Sequence, residues 1–219
     1  MSGICCIVGA GDMEGTEFYI PEGAYLIAAD AGLRYLDSLN RKPNLIVGDF
    51  DSLGRLPAGR NVVAHKPEKD DTDMMLAVRE ALSRKYDTIL IYGGMGGRLD
   101  HTLANIQTLA YIASCGAQGY LAGCGNVCTV IKNRALSFGA AMKGIISVFC
   151  IGGAAHGVDL TGLKYPLINH TLTSDYPLGV SNEFTGVPSS VSVVDGMLVV
   201  LWSAPRPEPE KYILTKEFL

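Results

Sequence analysis

The chain has no basic excess: 18 Lys and Arg stand against 22 Asp and Glu, giving a formal charge of -4 and a pI near 5.5. That balance argues against a nucleic-acid or anionic-membrane surface. No apolar run approaches the ~20 residues of a membrane-spanning helix. The opening Met-Ser-Gly-Ile-Cys-Cys-Ile-Val lacks the basic region and cleavage pattern of a secretory signal and predicts a first strand. A cytoplasmic location is expected. The six cysteines, Cys5, Cys6, Cys115, Cys124, Cys128 and Cys150, are expected as thiols rather than a disulfide framework. Cys124 and Cys128 lack a second pair at matching spacing, which argues against zinc. There is no Walker A spacing, no internal repeat, no low-complexity segment and a single tryptophan, Trp202.

What the chain does have is apolar residues, 48% of 219, enough for one large or two small domains. Through about residue 133, apolar runs of strand length alternate with helical patterns. Runs at 3–9, 24–29, 44–47, 61–64, 88–92, 118–123 and 126–133 predict strands. Helices are predicted after Asp30, from Thr72 with Met75, Val78 and Leu82 inward, and from Asp100 with Leu103, Ile106, Ala110 and Ala113 inward. This alternation predicts a mainly parallel sheet flanked by helices, whose ligands bind beyond the carboxyl ends of the strands.

Three corners at such ends carry unusual chemistry. Gly48-Asp49-Phe50-Asp51-Ser52 follows Asn44–Val47. If the extended backbone persists, Asp49 and Asp51 face the same side, and their repulsion would be relieved by a hard cation such as Mg²⁺. Two solvated turn aspartates are the alternative reading. In Lys69-Asp70-Asp71-Thr72-Asp73, Thr72 suits an N-cap and Asp73 the first turn of a helix. Capping does not account for Asp70 and Asp71 crowding the same end; a metal or a tethered Lys would. Gly93-Gly94-Met95-Gly96-Gly97-Arg98-Leu99-Asp100-His101 combines glycines that let amides approach an anion, a guanidinium fork and a helix start. Asp30 and Asp100 are candidate helix caps, and His101 taken alone reads as structural ahead of catalytic.

From about residue 140 no long helical period remains. Short strands are predicted at 144–151, 157–165, 171–174, 179–185 and 190–203, with Asp195-Gly196 as a hairpin turn. The expected architecture is α/β: an N-terminal mainly parallel sheet flanked by helices over 1–135, then a smaller C-terminal antiparallel β-sandwich over 140–219. Trp202 is either core or a flat surface for stacking an aromatic substrate. The Ala204–Pro209 tail is expected to be stiff and extended.

Taken together, Ala29-Asp30-Ala31-Gly32, Gly48–Ser52, Lys69–Asp73, Gly96–His101, Gly162-Leu163-Lys164-Tyr165-Pro166-Leu167 and Val180-Ser181-Asn182-Glu183-Phe184 resemble, in order and across both halves, the bacterial thiamine pyrophosphokinases. Ala31 stands where that family usually has a second glycine. The resemblance implies pyrophosphoryl transfer from ATP to the thiamine hydroxyl, with Mg²⁺, in a homodimer whose thiamine sites lie between subunits. It implies Asp49, Asp51 and Asp73 as Mg²⁺ ligands, with Asp70 and Asp100 as further candidates near the ion. Arg98, Gly96 and Gly97 would bind phosphate, supported by Lys69, Thr72 and Ser52, with Asp30 and His101 also at the nucleotide. Ser181, Asn182 and Trp202 would hold thiamine. Asp100 is a candidate proton acceptor, although a carboxylate with a pKa near 4 is a poor base at neutral pH. The rival classes are a metal-dependent phosphohydrolase and a non-enzymatic thiamine or nucleotide sensor.

Overall fold

The structure is a computed structural model and describes residues 3–48, 61–64 and 71–215. Its centre is β1 (Ile4–Val8), whose residues from Cys5 on are all buried. A strand covered on both faces must be apolar at every position, not only at alternate ones. β2 (Tyr25–Ala29), β3 (Leu45–Gly48) and β4 (Val62–Ala64) extend the sheet to one side of β1. The helix α1 (Gly32–Ser38) lies between β2 and β3, and α2 (Asp73–Ser83) follows β4. β5 (Thr88–Tyr92) pairs on the other side of β1; α3 (Leu99–Ser114) then leads to β6 (Gln118–Gly123). The order β4-β3-β2-β1-β5-β6 is parallel throughout. Successive strands run outward in opposite directions from the β1–β5 pair, so the topological switch point lies there.

Both long helices are turned by about one residue from the expected phase. α2 buries Met74, Ala77, Val78 and Ala81 instead of a Met75–Val78–Leu82 stripe. Its small alanines bring the helix close to the sheet and leave Met75 and Leu82 at the flanks. α3 buries Asn105, Thr108, Leu109, Ile112 and Ala113, while Leu103 is exposed. In that phase Asn105 donates its amide to the Gly94 carbonyl at 2.6 Å.

β7 (Asn126–Lys132) pairs antiparallel with β6 and carries the sheet into the C-terminal half. There β8 (Ala135–Phe138), β9 (Ile145–Thr161), β10 (Leu167–Thr173), β11 (Gly179–Glu183), β12 (Ser189–Ser192), β13 (Asp195–Ser203) and β14 (Tyr212–Thr215) form two antiparallel layers. β9 belongs to both layers. Its first part pairs with β13 and β11, its last part with β10 and β12, and Gly152 and Gly153 at positive φ lie between. The two strands expected at 144–151 and 157–165 are therefore one bent strand. Asp195-Gly196 is not a hairpin turn. β12 pairs with β8 and β9 while β13 pairs with β7 and β9, so the chain crosses between layers at that corner. The strands β8 and β14 had not been expected.

Trp202 sits between these layers. It is fully buried, with Phe138 and Tyr212 packed edgewise at ring-centroid separations of 5.3 and 5.0 Å. It shares the inward side of β13 with Leu198 and Val200. The core reading of this residue is the one the structure shows, and the stacking role is corrected: the ring has no open face for a ligand.

Candidate nucleotide site

At the β1–β5 switch point the two strands end in glycines that touch. The Gly9 amide donates to the Tyr92 carbonyl and the Gly11 amide to the Gly93 carbonyl, each at 2.8 Å. Gly93 has a φ of 63°. On the neighbouring strand, Asp30 (φ 48°) donates its amide to the Val47 carbonyl at 2.8 Å. It is not the N-cap of α1. That position is Ala31, at a φ of -66°, an ordinary right-handed conformation, so an alanine fits this corner without strain.

Beyond these ends lies a cavity of about 400 Å³, lined by the glycine corners and by Asp12, Asp30, Thr72, Asp73, Arg98, His101, Ala104 and Asn105. Of the expected nucleotide residues, Asp30, Thr72, Asp73, Gly96, Gly97, Arg98 and His101 are brought together here. Asp49, Asp51, Ser52, Lys69 and Asp70 lie outside the described residues. Asp49 follows Gly48, over which the Asp30 backbone closes: a Cβ on Gly48 would stand 3.2 Å from the Asp30 Cα.

The N-terminus of α2 opens onto the cavity. The Thr72 hydroxyl accepts from the Met75 amide at 3.2 Å, as expected of a cap, and Asp73 occupies the first turn. Asp71 has a partner that was not foreseen: Arg79, two turns along α2, at 2.8 Å. That ion pair takes up the Asp71 charge; Lys69 and Asp70, the rest of the corner, lie outside the described residues.

At the start of α3 the N-cap is Arg98, and Asp100 lies in the first turn. The Arg98 Nε and Nη2 donate to the two Asp100 carboxylate oxygens at 3.2 and 2.6 Å. The fork holds the Asp100 carboxyl below the usual carboxylate range. A lower pKa makes a weaker base, so the proton-acceptor role for Asp100 is not carried forward. What the geometry gives Asp100 is the aiming of Arg98, whose Nη1 donors are left for an anion.

The oxygen-only donors Asp30, Thr72 and Asp73 fit a hard divalent cation. Among the described residues there is no cluster of three or more His, Cys, Asp or Glu spaced to hold a metal.

Two polar cavity residues escaped the sequence reading: Asp12, just past the end of β1, and Asn105. The helical spacing of His101, Ala104 and Asn105 was the available clue, since it places them on one face.

The thiamine candidates lie in the β unit, away from this cavity. Asn182 is buried. Its Oδ1 accepts from the Tyr165 and Glu183 amides, both at 2.9 Å, and its Nδ2 donates to the Tyr165 carbonyl at 2.7 Å. With both acceptor sites used, Asn182 holds the Tyr165 segment in place. Ser181, exposed at a φ of 57°, and Tyr165 are among the residues this corner presents to solvent.

Glycine and carboxylate corners at the switch point of a parallel sheet define a phosphate-handling α/β enzyme, here continued into an antiparallel β unit. Residues 17–118 match the thiamin pyrophosphokinase catalytic domain and residues 131–198 its vitamin B1 binding domain. The chain belongs to the thiamine pyrophosphokinase family. It is 31% identical over 192 residues to the thiamine pyrophosphokinase of Bacillus subtilis, covering 84% of this chain and 90% of that one. It is 27% identical over 179 residues to thiamin pyrophosphokinase 1 of Caenorhabditis elegans, covering 74% and 72%. The crystal structure of the Bacillus subtilis enzyme superposes with a TM-score of 0.82 at 29% identity, covering 92% of this chain and 99% of that one.

Proposed function

We propose that the chain is a thiamine diphosphokinase that transfers the pyrophosphoryl group of ATP to the thiamine hydroxyl, giving thiamine diphosphate and AMP. The observation that carries the assignment to a site is the cavity at the β1–β5 switch point, where glycine corners, Thr72, Asp73 and Arg98 meet. Residues 1–135 bind ATP there, with the polyphosphate along Gly93–Gly97 and the N-terminus of α3. Residues 140–219 hold thiamine through Ser181 and the Tyr165 segment that Asn182 fixes.

Transfer requires the thiamine oxygen to form a bond to the β-phosphorus as the bond from that phosphorus to the AMP oxygen breaks. Positioning and charge stabilisation do most of this work. Arg98, aimed by Asp100, binds the charged phosphoryl oxygens, with Lys69, Ser52 and the Thr72 hydroxyl in support. Asp49, Asp51 and Asp73 would hold Mg²⁺, with Asp70 a further candidate ligand. When bound, the ion neutralises phosphate charge that these carboxylates alone would repel.

The enzyme works as a homodimer with thiamine at the subunit interface. Support comes from Ile145, Phe149, Leu178 and Val180, exposed apolar residues on and beside the paired β9 and β11. It works in the cytoplasm, in keeping with six free thiols. Among the described residues no helix is long and apolar enough to cross a membrane.

Incubation with ATP, Mg²⁺ and thiamine tests the assignment. Thiamine-dependent AMP is expected. Phosphate released without thiamine would indicate a hydrolase, and no turnover with retained thiamine binding a sensor.

A further inference from the structure

The loop at 11–24 leaves the cavity at Gly11 and Asp12 and returns to the sheet at β2. It is held from outside by the segment that leaves β13. The Glu17 amide donates to the Pro205 carbonyl at 2.7 Å. The Arg206 guanidinium lies over the Tyr19 ring, 5.1 Å from its centroid, and reaches Glu17 at 3.6 Å and Glu208 at 3.3 Å. Glycines at a turn close the gap between loop and segment. A Cβ on Gly15 would stand 3.0 Å from the Gly125 amide nitrogen, and the Gly125 carbonyl accepts from Ala204 at 3.1 Å. On its inner side the loop packs on Tyr92, the residue before the cavity-lining Gly93. The Tyr19 carbonyl accepts from the Tyr92 hydroxyl at 2.9 Å, and Phe18 packs edgewise on Tyr92 at 5.0 Å. Tyr92 is the last residue of β5, immediately before Gly93.

We propose that Arg206 is a positioning residue for ATP: from the exit of the β unit it fixes the 12–19 loop, whose first residue, Asp12, lines the nucleotide cavity. Arg206 is not one of the cavity-lining residues, so it acts through Tyr19 and Glu17 and not on the nucleotide itself. Its side chain is 38% exposed, and ion pairs at such sites add little to global stability. Removing it loosens one segment and leaves the core intact. The same contact ties the segment that leaves β13 to the loop that starts at the ATP cavity. The proposal rests on the reading of that cavity as the ATP site.

The test is amide hydrogen exchange, with and without ATP, on the wild type and Arg206→Gln, together with steady-state kinetics for both substrates. In Arg206→Gln, amides at 11–20 exchange faster, Tm barely moves, and the KM for ATP rises about fivefold while kcat and the KM for thiamine hold. Arg206→Lys, which keeps a cation over the ring, recovers most of the ATP affinity. Tyr19→Leu shifts the KM for ATP in the same direction as Arg206→Gln. Faster loop exchange with an unchanged KM for ATP would overturn the proposal. So would unchanged exchange, or an equal loss for thiamine. If ATP fails to protect the 93–98 amides of the wild type, the cavity reading itself is wrong, and the proposal falls with it.

Discussion

A Cβ on Gly93 would stand 2.6 Å from the Gly9 carbonyl oxygen. The two strand ends at the switch point are that close because neither carries a side chain, and Gly93 also needs its positive φ. Gly93→Ala therefore has to push β1 and β5 apart. We expect it to cost about 1–3 kcal/mol of stability, measured by urea denaturation, and to weaken ATP binding out of proportion to that loss.

Thr72 and Asp73 occupy adjacent positions with separable duties. Thr72→Ala removes the cap on the Met75 amide and should cost about 1 kcal/mol by denaturant titration. A Thr72→Ser variant keeps the oxygen and should retain most of that stability.

The Arg98–Asp100 pair sets an expectation for pH. The folded Asp100 carboxyl titrates below its unfolded value, so the pair is complete above about pH 4 and is lost as pH falls through the lowered folded value. Asp100 stays ionised from pH 5 to 9. Asp100→Asn should lower the rate by releasing Arg98 from its aim, while the apparent pKa values of the kcat/KM profile stay in place. A shift of the acid limb would return Asp100 to proton transfer.

Trp202 closes the β core against Phe138 and Tyr212. Trp202→Ala should cost about 3–5 kcal/mol. Any loss of thiamine affinity should follow the loss of fold, as seen by comparing thermal melts with thiamine binding at low temperature.

The cysteines separate by burial. Cys115 and Cys124 are exposed, whereas burial raises the Cys5 thiol and pushes Cys6 and Cys128 up to about 12. A thiol reagent at pH 8 should label Cys115 and Cys124 first, Cys150 more slowly, and Cys5, Cys6 and Cys128 only after unfolding.

The parallel half was legible because strands buried on both faces leave continuous apolar runs, and because Gly93, Gly96 and Gly97 mark the corner where positive φ is needed. The helix phases were less so. In α3 the side facing the sheet includes one polar contact, Asn105 to Gly94, which hydrophobic spacing does not encode. The β unit was read as short strands because Gly152-Gly153 looks like an interruption, whereas β9 bends there and continues into the second layer. Asp195-Gly196 carries good hairpin chemistry, but strand pairing across two layers is a long-range property. Trp202 illustrates it for the site: a lone aromatic near a strand end fits either core or ligand until its neighbours Phe138 and Tyr212 are known.

The most direct measurement is Mg²⁺-dependent AMP formation by Asp49→Asn, Asp51→Asn and Asp73→Asn, each checked for an unchanged melting temperature. If these carboxylates share a cation at the ATP cavity, each variant should lose about a hundredfold or more in kcat. Near-normal AMP release from any of the three, with thiamine present and the fold intact, would contradict that carboxylate's place at the metal; from all three, it would contradict the account.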